Sequence, residues 1–198
     1  MKNILKLSLI ISGLYVLCAF LSCIISVYWL PNHHDVDKIM SLNGSYGYTS
    51  IVCKLLSLVF FILLFRKAAA NSPLNWPFAI IIGGLVLSLL SYVVLFYSSH
   101  ISRQLLSKVS VPALLIPKIF LSVGLVWFGL YFEKRSMVRI STYLIPALYA
   151  IGLFTPILFG ANPYEYMFCS NILGVLLETT YAIFFYSFYK YNQSYGRN

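Results

Sequence analysis

Charge is scarce in this sequence. Only 10% of its 198 residues are charged, and five are acidic, against about 25% charged in an ordinary soluble domain. With 60% hydrophobic residues and a mean hydropathy of +0.84, more apolar surface is present than a water-soluble core of this size buries. The excess has to face lipid. Histidine is limited to His33, His34 and His100, all expected outside the apolar runs, which excludes a pair of bilayer-embedded haem ligands. The four cysteines, Cys18, Cys23, Cys53 and Cys169, contain no CxxC pair, so zinc and dithiol chemistry lack their spacing. HExxH, GxSxG, the aspartate pair of an intramembrane protease and an Asp-rich phosphate–magnesium motif are all missing. The pattern implies no cofactor. Of enzyme chemistry it leaves a cysteine nucleophile or a Lys–Glu acid/base couple, and the balance favours a non-enzyme.

What the chain does have is apolar runs of membrane length. A helix crosses the hydrocarbon core in about 20 residues. Six runs meet that measure or come near it, at about 4–30, 49–65, 78–98, 111–132, 140–160 and 168–190. The expected fold is all-α: one integral membrane domain over residues 1–198, a polytopic bundle of six transmembrane helices with short loops. The first run is too long for a signal peptide, whose apolar region spans about 7–15 residues, and Phe20-Leu21-Ser22 before Cys23 suits lipoprotein cleavage poorly. It reads as a retained helix.

Residues 31–48 are the longest expected loop, punctuated by Asn43, Gly44 and Gly47. His33, His34, Asp35 and Asp37 within it would need partners from elsewhere to hold an ion, so no metal site is expected. Between the third and fourth runs, Ile101, Leu105 and Leu106 mix with Arg103 and Lys108, as in a short interfacial helix.

Basic residues set the orientation. Lys2, Lys6, Arg66, Lys67, Lys134, Arg135, Arg139, Lys190 and Arg197 fall on one side, and Lys38, Arg103 and Lys108 on the other. The positive-inside rule then places both termini in the cytoplasm, in a plasma or inner membrane. The net charge of +9 is explained by these flanks rather than by nucleic acid. Trp29, Trp76, Tyr48, Tyr97 and Tyr189 fall at span ends, where an aromatic belt belongs. Cys53 and Cys169 fall at similar depth near the outer face, which allows a disulfide between them.

Two patterns within the spans carry functional meaning. Ser8, Ser12, Tyr15, Ala19, Ser22 and Ser26 recur at alternating spacings of 4 and 3, one seam of a helix that packs closely through small side chains. Gly84, Ser88, Ser91 and Ser98 form a second seam. Glu178 is the only carboxylate inside a span, sharing a helical face with Asn171, Gly174, Tyr181 and Ala182. Lys118, beside Pro117, and Lys54 lie at depths from which a long side chain reaches Glu178. Lys54 could instead snorkel to the interface. A buried charge in a bilayer costs several kcal/mol unless paired or wetted, so Glu178 and Lys118 are expected to share one polar site, with Lys54 and Asn171 as further candidates. Two functions fit: a small-solute or ion carrier, or the membrane subunit of one, and a non-catalytic assembly or scaffold subunit. The first implies a cavity at Glu178. The second implies small-residue seams turned toward a membrane-protein partner or a second copy.

Overall fold

The computed structural model describes residues 2–29, 36–68, 72–96, 103–159 and 163–195. They form six helices: α1 (Lys2–Trp29), α2 (Val36–Lys67), α3 (Asn75–Phe96), α4 (Arg103–Gly129), α5 (Met137–Phe159) and α6 (Pro163–Tyr195). Helix is the only open-ended element that satisfies its own backbone in lipid. Four of the six hold a stretch long and apolar enough to cross a membrane: Asn3–Ile25, Ser45–Lys67, Met137–Thr155 and Phe168–Gln193. The described apolar stretches of α3 and α4, Asn75–Ser91 and Leu114–Gly129, are shorter.

Each helix packs on the next in the chain, and α1 packs on α6. The bundle is therefore a closed ring in sequence order. Two devices set its tight contacts. Between α3 and α4 the backbones meet at glycines: a Cβ at Gly84 would lie 2.9 Å from the Leu121 nitrogen, and one at Gly124 would lie 3.0 Å from the Ile81 nitrogen. Between α1 and α6 the small-residue seam faces inward. Ser8, Ser12, Tyr15, Ala19 and Ser22 are buried, and the Ser12 hydroxyl donates to the Ala182 carbonyl at 2.8 Å. The side chain of Ser26 lies outside the described residues, as do Ser98 and Tyr97.

Two boundaries differ from those read off the sequence. α2 begins at Val36 rather than Thr49, so much of the expected 31–48 loop is helix. Asn43, Gly44 and Gly47 resemble a turn, but a glycine inside a helix costs only about 0.5–1 kcal/mol. A tertiary hydrogen bond from Tyr46, described below, offsets a penalty of that size. The helix α4 likewise absorbs the expected interfacial segment, running unbroken from Arg103 through Pro112 and Pro117. It ends at Gly129, where the N–H groups of Leu130, Tyr131 and Phe132 tighten into i to i+3 bonds with Trp127, Phe128 and Gly129. Ser136 then caps α5 by accepting the Arg139 N–H at 3.3 Å, and the Arg139 guanidinium donates to the Phe132 carbonyl at 3.1 Å.

The interior is divided lengthwise. At the end holding the α2–α3 and α4–α5 connections, Phe60, Phe61, Phe78, Phe128, Phe184, Phe185 and Phe188 are buried together. Many of these rings pack edge to face, with centroids 5.2 Å apart for Phe60–Phe188 and 5.0 Å for Phe184–Phe185, an arrangement that the ring quadrupole favours. The opposite half contains the interior lysines and Glu178.

Candidate functional site

Above the phenylalanines, all six helices contribute to a polar chamber made of two adjoining cavities. The inner one, about 280 Å³, is walled by Tyr15, Ser50, Lys54, Ser88, Ser91, Pro117, Lys118, Glu178 and Tyr181, among others. The outer one, about 340 Å³, is walled by Ser22, Lys118, Gly152, Ser170, Asn171 and Gly174, among others. Tyr46, Lys118, Tyr149 and Leu177 line both, so the two spaces meet at that rim. Their volumes are of ligand-site order.

Glu178 is the centre of the inner cavity. It is only 7% exposed, because its turn of α6 faces the ring interior beside buried Thr180 and Ala182. Its Oε1 accepts the Tyr46 hydroxyl at 3.1 Å, the contact that ties the early turns of α2 to α6. Its Oε2 is buried with no hydrogen-bond partner among the described residues. Lys54 is the cation that acts on it electrostatically. Leaving a buried acceptor unsatisfied costs about 1–3 kcal/mol, and more for a charged group. Glu178 itself forms part of the wall of the inner cavity.

Tyr15, Tyr149 and Tyr181 line the same cavity as the carboxylate. The Tyr15 ring stacks on Tyr181 with centroids 4.9 Å apart. The Tyr149 and Tyr181 hydroxyls lie 3.0 Å apart. Ser57 gives its proton to the Cys53 carbonyl at 2.7 Å, so in its 3.4 Å contact with Tyr15 the tyrosine is the donor. The Lys118 ammonium lies 5.8 Å from the centre of the Tyr149 ring, within cation–π range. Apolar ring faces with hydroxyl tips suit a chamber that must hold both polar and apolar parts of a ligand.

Of the residues singled out in the sequence, Glu178, Lys118 and Lys54 line the inner cavity and Asn171 the outer one. Lys54 is turned to the interior; the snorkelling alternative is not adopted. The second seam splits: Gly84 packs on α4, while Ser88 and Ser91 line the cavity. Cys53 does not meet Cys169. Its Sγ lies 3.6 Å from that of Cys18, both buried, and all four cysteines are free thiols. His33, His34 and Asp35 lie outside the described residues, as does the side chain of Asp37. Tyr46, Ser50 and Tyr149 were not singled out by the sequence. A tyrosine deep in an apolar run is the available signal for Tyr149, since a buried phenol needs a hydrogen-bond partner. Comparison with known protein families, with curated proteins and with solved structures finds no match.

Proposed function

We propose that this chain is a six-span membrane protein that binds a small solute or ion in its inner chamber, as a carrier or as the membrane subunit of one. Both termini lie in the cytoplasm of a plasma or inner membrane, so the chamber faces the outer side and the phenylalanine floor the inner side. The observation that carries the reading is Glu178: a carboxylate 93% buried (7% exposed), one oxygen held by Tyr46 and the other without a hydrogen-bond partner among the described residues, on the wall of a cavity that also holds two lysines. An ionisable group inside a membrane bundle marks a solute or ion path by default.

The scaffold alternative needs small-residue seams directed outward. Here the α1 seam is taken up within the chain, on α6, and Ser88 and Ser91 of the second seam face the chamber. The side chains left outside are bulky ones such as Phe20, Leu90, Phe154 and Ile157, suited to the lipid bilayer. A homo-oligomer or a membrane-protein partner would meet the protein over that surface.

Water access decides between the two. In a Cys23→Ser, Cys169→Ser background, Ser88→Cys in proteoliposomes should react with a charged, water-soluble methanethiosulfonate added outside. A thermal-shift screen of small polar solutes should then find a class that raises the melting temperature of the parent protein and not of Lys118→Met. Ligand at 100 times its Kd stabilises by about 2.7 kcal/mol, which such a screen resolves. An unreactive Ser88→Cys together with no stabilising solute would return the scaffold reading.

A further inference from the structure

A third space adjoins the chamber on its lipid side. Between α5 and α6 runs an open groove of about 420 Å³, lined by Phe154, Leu158, Cys169 and Ile172, with Thr155 and Leu173. Those last two residues also belong to the wall of the outer polar cavity, so groove and chamber share a border. Gly152 stands on the α5 side of that border, and a Cβ built there meets nothing within 4 Å. Among the described residues the doorway is open space. Next to it Ile157 and Leu158 are 77% and 71% exposed, as expected of residues in contact with acyl chains.

A purely water-soluble ligand would make no use of this border, whereas a ligand with a polar head and an aliphatic tail would occupy both sides of it. The head would meet the ammonium groups of Lys54 and Lys118 on the wall of the inner cavity. We infer that the ligand is an anionic amphiphile reaching the chamber sideways from the bilayer, its phosphate- or carboxylate-type head at Lys118 and its aliphatic chain in the α5–α6 groove. This deepens the reading of the chamber as a ligand site and rests on it. Lys118 is the residue placed for the head, because it lines both cavities and so stands between the doorway and Glu178. Cys169, half-buried in the groove, reports on the tail.

The test uses the full chain in phosphatidylcholine nanodiscs, with the exposed Cys23 replaced by serine. Cys18 and Cys53 are buried, which leaves Cys169 as the accessible thiol for N-ethylmaleimide, followed by mass. Monododecyl phosphate at ten times its Kd should slow the alkylation roughly tenfold, since only unliganded protein reacts. The protection should disappear in Lys118→Met and in Gly152→Leu, which closes the doorway from opposite chemical grounds. Inorganic phosphate and dodecanol should each protect less than twofold. Equal protection by dodecanol, unchanged in Lys118→Met, would overturn the proposal and leave the groove as ordinary lipid-facing surface. Protection that follows protein copies per nanodisc instead of the added phosphate ester would overturn it in favour of a second copy. If inorganic phosphate stabilises the protein through Lys118 while monododecyl phosphate leaves Cys169 unprotected, the amphiphile falls and the solute site stands. If no anion acts and Ser88→Cys is closed to water, both fall.

Discussion

Tyr46→Phe isolates the contact on which the chamber depends. The substitution removes one oxygen and keeps the ring, so it opens no cavity in the packing. It deletes the 3.1 Å bond to Glu178 Oε1. Because Oε2 already has no hydrogen-bond partner among the described residues, the buried carboxylate loses its one hydrogen bond within them. Bonds to charged groups contribute about 1.5–3 kcal/mol, so a loss of about 2 kcal/mol is expected. For a chain of this length that corresponds to a fall in melting temperature of about 4–8 °C, measurable by thiol-reactive dye unfolding in detergent. Tyr48→Phe is the matched control, at a position 72% exposed, where a surface change stays within about 0.5 kcal/mol. In a Glu178→Gln background the acceptor is uncharged, and Tyr46→Phe should cost only about 0.5–1.5 kcal/mol. The difference between the two backgrounds is the coupling energy, about 1 kcal/mol. Strictly additive losses, or a Tyr46→Phe shift no larger than that of Tyr48→Phe, would refute the account of how α2 is tied to α6.

Ser12→Leu should disrupt folding or detergent stability, because its hydroxyl bonds the Ala182 carbonyl and a larger side chain pushes α1 off α6; unchanged expression and stability would remove the seam's packing role. Gly124→Ala should destabilise by about 1–3 kcal/mol, since the new Cβ would stand 2.6 Å from Ile81 Cγ1. Gly13→Ala, with nothing within 4 Å, should be neutral or gain up to about 1 kcal/mol; equal effects at the two sites in thermal unfolding would argue against the close α3–α4 approach. In a Cys23→Ser, Cys169→Ser background, an impermeant maleimide added to the outside of intact cells should label Tyr48→Cys and miss Lys134→Cys, and the reverse pattern would invert the proposed orientation.

Much of this arrangement was legible from residue spacing. The α1 seam stood out because small side chains at alternating spacings of 4 and 3 have few uses in lipid other than close packing. Glu178 stood out because a lone carboxylate in an apolar run cannot face acyl chains. Tyr46 was hidden by local chemistry: Asn43, Gly44 and Gly47 resemble a loop, and only the distant carboxylate on α6 makes helix the better choice there. That one misreading carried over to Lys54. Counted from Thr49, it seemed close enough to a helix end to snorkel. In the structure α2 begins at Val36, so Lys54 lies well inside the helix, and it lines the inner cavity. The Cys18–Cys53 contact was equally out of reach, because sequence depth says how far along a helix a thiol lies and not which way it faces.

The two halves of the ring have different physical consequences for anything bound between them. On one side of Glu178 the walls carry serines, tyrosines and lysines, and the chamber adjoins both its own outer cavity and the α5–α6 groove. On the other side Phe185 stacks on Tyr15 at 5.8 Å and passes the contact to Phe60, Phe61 and Phe184. Such interlocked rings present apolar surface to a charged head, and removing one phenylalanine from a core of this kind costs about 3–5 kcal/mol. A ligand of the proposed type therefore reaches Glu178 from the chamber side or from the bilayer, and in this arrangement meets a closed floor. Five of the seven buried rings of that floor, Phe60, Phe61, Phe184, Phe185 and Phe188, come from α2 and α6, so the Tyr46–Glu178 bond at the chamber end joins the same two helices that close the floor.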